Sequence, residues 1–241
     1  MIAVAAMTID HIGVIFVPYG KPLFFVLRAI GRIAFPLFAF MLVEGFNHTR
    51  NVVKYLLRIV CIGLVIEIAF DLGMLFIDGL EKIQMNVFIT LTIGLLTIAL
   101  LKSKKWYFKL LAIIPITYVA ITDIFINYVT IGNYQFPLSI EYGLYGLTII
   151  LLFAFTSDIK KRFMGLIFIN TIFVSPGFLS LTDINYNFIH HYLQYFSIIS
   201  IIPIYLYNGK VGIKLPKLFT YLYYPVHMLI LYGIFILTEL F

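Results

Sequence analysis

Several ionisable side chains that could do chemistry lie within apolar stretches of the sequence: Asp10, His11, Arg28, Arg32, Glu67, Asp71 and His227. A charged side chain at the centre of a membrane-spanning helix costs about 2.5–3.5 kcal/mol on insertion scales. Such residues are therefore kept where they face one another or a wet cavity. A histidine beside a carboxylate can exchange a proton near neutral pH. This pattern predicts one intramembrane site, with proton transfer at His11.

The spacing of the charged residues predicts which of them share a helix face. Arg28 and Arg32 are four residues apart, as are Glu67 and Asp71, and a helix places each pair on one face. An alternative interpretation makes Glu67 and Asp71, with Arg58, structural ion pairs that hold helices in register. That alternative fits the adjacent His–Asp pair less well, because a structural pair would more simply use arginine and aspartate.

The elements that must position these residues are apolar helices. Of the 241 residues, 62% are hydrophobic and 12% are charged, whereas a soluble domain has about 25% charged residues. We therefore predict an all-α, polytopic integral membrane protein that forms a single domain over residues 1–241. A span takes roughly 20 apolar residues, which gives about nine spans: 2–18, 23–45, 54–77, 84–101, 106–122, 142–156, 162–180, 190–207 and 217–240. Residues 128–139 are predicted to be an outer loop or a half-inserted hairpin.

The charges of the loops predict the orientation of the chain. Basic clusters follow spans two, four, six and eight, while the intervening loops carry Asp78, Glu81, Lys82, Asp123, Glu141 and Asp183. Basic loops stay in the cytoplasm, so we expect a cytoplasmic N-terminus, an external C-terminus and a multi-pass protein of the plasma (inner) membrane. The net charge of +6 is assigned to this topology and not to nucleic-acid binding. The first apolar stretch is interpreted as a retained span.

Several sequence motifs are distributed along most of the chain: IDHIG at 9–13, GRIAFPLFAF at 31–40, EGF at 44–46, NVFITL at 86–91, YNGK at 207–210 and YYPVH at 223–227. Together these motifs resemble those of the TraX family. The resemblance implies an acetyl-CoA-dependent membrane acyltransferase. TraX proteins are implicated in acetylation of the N-terminus of conjugative pilin, so the implied acceptor is an extracytoplasmic pilin, with a cell-surface glycan as a second possibility.

For acetyl transfer, a base must take a proton from the attacking amine or hydroxyl, and a cation must stabilise the oxyanion. We expect His11 to be the base, Asp10 to orient it, and Arg32 to stabilise the oxyanion. Arg28 would bind donor or acceptor. His227 alone would ordinarily be a satisfied interior histidine, but with a second buried histidine it becomes a candidate acid/base or acceptor-binding group.

Other polar residues are candidates for binding the substrates. Glu67 lies near the centre of its span, Asp71 and Asn86 lie further toward the outer side, and Tyr223 precedes His227 on the last span. Arg50, Lys54 and Arg58 lie at the cytoplasmic rim. The rim cations could meet the phosphates of acetyl-CoA, or could simply reflect the bias of cytoplasmic loops toward basic residues. No metal is expected, and the chain has no motif of a zinc protease or serine hydrolase.

Two other functions would use the same residues. A proton-coupled transporter or permease would also need buried carboxylates and histidines, but transporters often carry internal repeats, and the motifs here concentrate in the first three spans. A non-catalytic membrane subunit of an assembly complex would tolerate apolar replacements of the buried charges.

Overall fold

A computed structural model describes residues 1–76, 84–125, 128–131, 134–174, 192–210 and 217–239 of the chain. The chain divides into two compact units, each described by itself. The first unit combines Met1–Phe38 with Thr156–Phe241, and the second unit is Ala39–Phe155. The loop residues Asp78, Glu81, Lys82 and Asp183, used above to predict the orientation of the chain, lie outside the described ranges.

The first unit is built from helices near both ends of the sequence: α1 Ile2–Phe16, α2 Pro22–Gly31, the start of α3 Ala34–His48, α9 Ile159–Val174, a 3-10 helix Tyr195–Ser200, α10 Ile201–Tyr205 and α11 Lys217–Glu239. Pro22 occupies the first turn of α2, where its missing N–H is not needed. Helix α1 packs against α2 and α11, and the 3-10 helix contacts α2 and α9. The first helix thus meets the C-terminal helix directly.

The predicted second span, 23–45, is interrupted in the structure. Helix α2 ends at Gly31, with Arg32 as its C-cap, and α3 begins at Ala34. Pro36 explains the position of the break, because it has no N–H to donate to the carbonyl of Arg32 four residues earlier. The predicted span 23–45 corresponds to the helical stretch Pro22–His48, and Arg32 lies in the turn between its two helices.

The second unit contains most of the remaining helices and a small hairpin. Its elements after the end of α3 are α4 Val52–Phe76, α5 Val87–Leu101, α6 Trp106–Leu111, α7 Ile113–Ile124, β1 Tyr128–Ile131, β2 Tyr134–Pro137 and α8 Gly143–Phe155. Helix α5 packs against α4 and α8, and α7 also packs against α8. The two strands pair antiparallel, and the choice between an outer loop and a half-inserted hairpin for this segment stays a prediction.

The positions of the apolar helices agree with the predicted spans to within a few residues. Two helical stretches of the described chain, Pro22–His48 and Trp106–Ile124, have the length and hydropathy of a membrane span. Shorter apolar helices are Ile2–Phe16, Val87–Leu101, Gly143–Phe155, Tyr192–Tyr205 and Leu222–Thr238. Large apolar side chains such as Leu229 and Ile114 are exposed on these helices. The protein is thus helical and of membrane type, while its division into about nine spans stays a prediction.

Candidate functional site

Two glycines allow α1 and α2 of the first unit to approach closely. A Cβ built on Gly31 would lie 1.9 Å from the Asp10 Oδ1 atom, and one built on Gly13 would lie 2.9 Å from the Cβ of Leu27. Small residues at helix contacts let backbones come together in this way. The close approach brings the Asp10 carboxylate against the end of α2, where both arginines lie.

The Asp10 carboxylate forms an ion cluster with the two arginines. Arg28 Nη1 donates to Asp10 Oδ2, and Arg32 Nη2 donates to Asp10 Oδ1 at 3.3 Å. Arg32 Nη1 also donates to Gln194 Oε1 at 3.2 Å, which connects the cluster to the residue before the 3-10 helix. The charged side chains are only 13–15% exposed. Removing one partner of such a buried pair is strongly destabilising, because the other charge loses its compensation.

Asp10 and His11 form hydrogen bonds to different helices, and the expected role of Asp10 in orienting His11 stays a prediction. Among the described residues, the hydrogen-bond partners of the Asp10 carboxylate are the two arginines, and His11 pairs instead with His227. The physical reason is helix geometry: at 3.6 residues per turn, adjacent side chains point about 100° apart. Asp10 therefore faces α2, while His11 faces α11.

The two histidines form the second part of the site, where α1 contacts α11. The Nδ1 atom of His11 lies 2.7 Å from Nε2 of His227, and Nδ1 of His227 lies 2.8 Å from the carbonyl oxygen of Tyr223. The Tyr223 ring lies nearly parallel to the His227 ring, and its hydroxyl lies 2.7 Å from the Thr8 hydroxyl. Tyr224 presents an edge to both histidines. His227 is buried and His11 is half-buried, so the pair is shielded and held on three sides.

Glu67 and Asn86 form a polar centre within the second unit. Glu67 Oε1 accepts from the backbone N–H of Asn86 at 2.5 Å and from its side-chain amide at 2.8 Å. The same amide donates to the carbonyl of Gly63, and Asn86 Oδ1 caps α5 by accepting from Phe88 N–H. These contacts tie the start of α5 to α4. They are contacts within the fold, and the substrate-binding role predicted for Glu67 and Asn86 stays a prediction.

The remaining predicted binding residues lie on exposed surfaces. Asp71, Arg50 and Arg58 are exposed, and all three belong to the second unit. Their proposed contacts with substrate therefore also stay predictions. Within the described ranges, no group of three or more His, Cys, Asp and Glu side chains is placed to hold a metal ion.

Several residues of the first-unit site escaped the sequence reasoning. Gln194 bonds the ion cluster, Tyr224 contacts the histidine pair, and Thr8 bonds the Tyr223 hydroxyl. Each is a neutral residue within an apolar stretch and gives no signal on its own. Gly31 falls inside one of the family-like motifs. Gly31 matters because it has no Cβ atom to collide with Asp10, and the residue composition does not show this.

Comparison with known proteins gives a family and a curated relative. The family model described as "TraX protein" matches residues 1–235. The chain is 34% identical over 111 residues to a "Probable fimbrial assembly protein FimC, serogroup H1" of Dichelobacter nodosus. That alignment covers 43% of this chain and 45% of the relative, so it spans under half the relative's length. No solved structure matches the chain.

Proposed function

The chain belongs to the TraX family, and we propose that it is an integral-membrane acetyltransferase acting on an extracytoplasmic acceptor. Acetyl-CoA in the cytoplasm is the acyl donor, and the acceptor is an amine or hydroxyl group. A pilus or fimbrial subunit is favoured as acceptor over a cell-surface glycan, because the curated relative is named as a probable fimbrial assembly protein.

The observation that carries this proposal is the hydrogen-bonded histidine pair between two apolar helices. His11 and His227 are separated by 216 positions in sequence, yet their ring nitrogens lie 2.7 Å apart. An imidazole with one nitrogen engaged has the other available to take a proton from an attacking amine or hydroxyl, and such general-base help is worth about 10²–10⁴-fold in rate. A purely structural contact between apolar helices has no need of two titratable rings.

The proposed reaction follows from this arrangement. The acceptor's lone pair attacks the thioester carbonyl carbon, and a new C–N or C–O bond forms while His11 takes the acceptor's proton. The C–S bond then breaks, the electron pair leaves with the sulfur of coenzyme A, and the proton passes from His11 to that thiolate. The transient oxyanion needs a fixed positive charge in a region of low dielectric, and Arg32 or Arg28 supplies it.

The membrane arrangement is part of the same proposal. About nine spans, with the N-terminus in the cytoplasm and the C-terminus outside, place the donor and the acceptor on opposite faces of the plasma membrane. On this topology the exposed arginines Arg50 and Arg58 belong to the cytoplasmic side of the membrane, where acetyl-CoA is found. An exposed guanidinium suits phosphate because its N–H groups match two oxygens at once.

The experiment uses the full chain reconstituted in lipid vesicles with labelled acetyl-CoA and purified pilin or envelope glycan. We expect label in the acceptor, and a loss of about 10²–10⁴-fold for His11→Gln. His48→Gln is the matched control, because His48 is an exposed histidine bonded to the Glu44 carbonyl and its loss should leave the rate unchanged. Absence of transfer to either acceptor, together with proton-driven solute uptake, would assign the site to a transporter.

A further inference from the structure

The hydrogen bonds around the two histidines determine which of the His11 nitrogens is the base. We propose that His227 is a positioning residue that holds His11 with its proton on Nδ1, so that Nε2 takes the proton of the acceptor. This inference rests on the proposed acetyl transfer for its catalytic meaning, but the tautomer itself is a property of the resting protein.

The assignment begins at the carbonyl of Tyr223. A backbone carbonyl oxygen can only accept a hydrogen bond, so the Nδ1 atom of His227, 2.8 Å away, carries a proton. A neutral imidazole has one N–H, and its other nitrogen is an acceptor. The Nε2 atom of His227 therefore has a lone pair, and it faces Nδ1 of His11 at 2.7 Å.

The same reasoning then fixes the tautomer of His11. Because His227 Nε2 accepts, His11 Nδ1 must donate, and the lone pair of a neutral His11 is left on Nε2. The ring centroids are 5.0 Å apart with an angle of 24° between the planes. The two rings therefore meet edge to edge and nearly coplanar, so the N–H bond points along the lone pair. No described residue hydrogen-bonds Nε2 of His11, which leaves that atom for the acceptor.

The partner of His11 is itself held in place from two directions. The carbonyl that accepts from His227 lies four residues earlier on α11, and the ring of the same Tyr223 lies 5.1 Å from the His227 ring with an angle of 14°. The Tyr223 hydroxyl is in turn 2.7 Å from Thr8 on α1. When His11 takes a proton, its Nδ1–H continues to donate to His227, so the imidazolium gains a stronger, charge-assisted bond without rearrangement.

The structure also explains why a neutral histidine fills the place that Asp10 was expected to fill. The Asp10 carboxylate is occupied by the two arginines and faces a different helix. A neutral acceptor can orient His11 without a further charge in an apolar region, where each uncompensated ion costs several kcal/mol.

The direct test reads the tautomer by ¹⁵N NMR of the full chain in lipid nanodiscs with labelled histidine. The His11 signals are identified by their loss in His11→Gln. The pH is raised until the ¹⁵N chemical shifts of His11 no longer change, so that the ring is neutral. We expect Nδ1 to bear the proton and Nε2 to be bare. A proton on Nε2 would overturn the proposal, whether or not the protein transfers acetyl groups. The expected tautomer without any transfer would instead refute the proposed function and leave the tautomer assignment intact.

A second test separates positioning from simple filling of space. In His227→Gln, the side-chain oxygen can lie near the lost Nε2 atom and accept from His11, whereas His227→Leu offers no acceptor. The comparison uses variants that unfold at the same temperature as the wild type. We expect His227→Gln to keep kcat within about 10-fold of the wild type. We expect His227→Leu to lose about 100-fold in kcat, the lower limit of a general base's contribution, with KM unchanged in both variants. Equal losses in both variants, or a wild-type kcat in His227→Leu, would contradict the positioning role.

Discussion

Replacing Gly31 by alanine is the sharpest test of the contact between α1 and α2. The added methyl carbon would lie 1.9 Å from Asp10 Oδ1, 2.3 Å from Cγ and 2.4 Å from Cβ. All three distances are far inside van der Waals contact, so the carboxylate must retreat. It is not the free end of a flexible side chain, because Arg28 and Arg32 both donate to it.

The expected loss of stability follows from these contacts. Inserting a methyl group into a well-packed contact costs about 1–3 kcal/mol, and losing a hydrogen bond to a charged group costs about 1.5–3 kcal/mol. Gly31→Ala should therefore lower the free energy of unfolding by roughly 3–5 kcal/mol, which is a large part of the 5–15 kcal/mol typical of folded proteins. Acetyl transfer should fall with it, since Asp10 precedes His11 on the same helix.

The assay is equilibrium unfolding in detergent or nanodiscs, with Gly233→Ala as the matched control. Gly233 also lies inside a helix of the first unit, but a Cβ built there meets nothing within 4 Å. The control should be neutral or more stable by up to about 1 kcal/mol, because alanine favours helix over glycine. If Gly31→Ala and Gly233→Ala unfold alike, the two helices do not approach as described and the cluster geometry is refuted.

Three further predictions concern the polar contacts of each unit. Asp10→Asn leaves the buried arginines without their counter-ion and should lower the unfolding free energy by about 3–5 kcal/mol; wild-type stability would contradict the ion cluster. A double-mutant cycle of Thr8→Val with Tyr223→Phe should give a coupling of about 1 kcal/mol in the same assay, and strictly additive effects would mean that the hydroxyls do not bond. Asn86→Ala should cost about 2–3 kcal/mol through the lost helix cap and the lost bonds to Glu67; wild-type stability would contradict these contacts.

The positions of the helices could be predicted from the sequence, because apolar runs long enough to cross a bilayer have few alternatives to a helix. Helix α4, Val52–Phe76, was expected at 54–77, and α8, Gly143–Phe155, at 142–156. The break after Gly31 was missed. Hydropathy averages over a window, and one proline near the middle of an apolar run leaves that average unchanged.

The membership of the site was predicted better than its pairing. Asp10, His11, both arginines and His227 were all proposed from their presence in apolar stretches, and the structure brings these five together within the first unit. Which of them touch depends on how α1 is rotated between two neighbours. Sequence spacing determines which residues share a face of one helix, but it does not determine which neighbouring helix that face contacts.

Adjacency in sequence made Asp10 look like the partner of His11, and the rotation of the helix separates their roles instead. Asp10 joins α1 to α2 through ion pairs, and His11 joins α1 to α11 through a neutral hydrogen bond. Because one contact is an ion cluster and the other a neutral hydrogen bond, and each involves a different helix, we expect their loss to affect different measured quantities. Variants of Asp10 and Gly31 should lower the free energy of unfolding first, whereas His227→Leu should lower kcat at constant stability. A common response of both sets would mean that the cluster and the histidine pair act as a single structural unit, and the proton-transfer role of His11 would lose its main support.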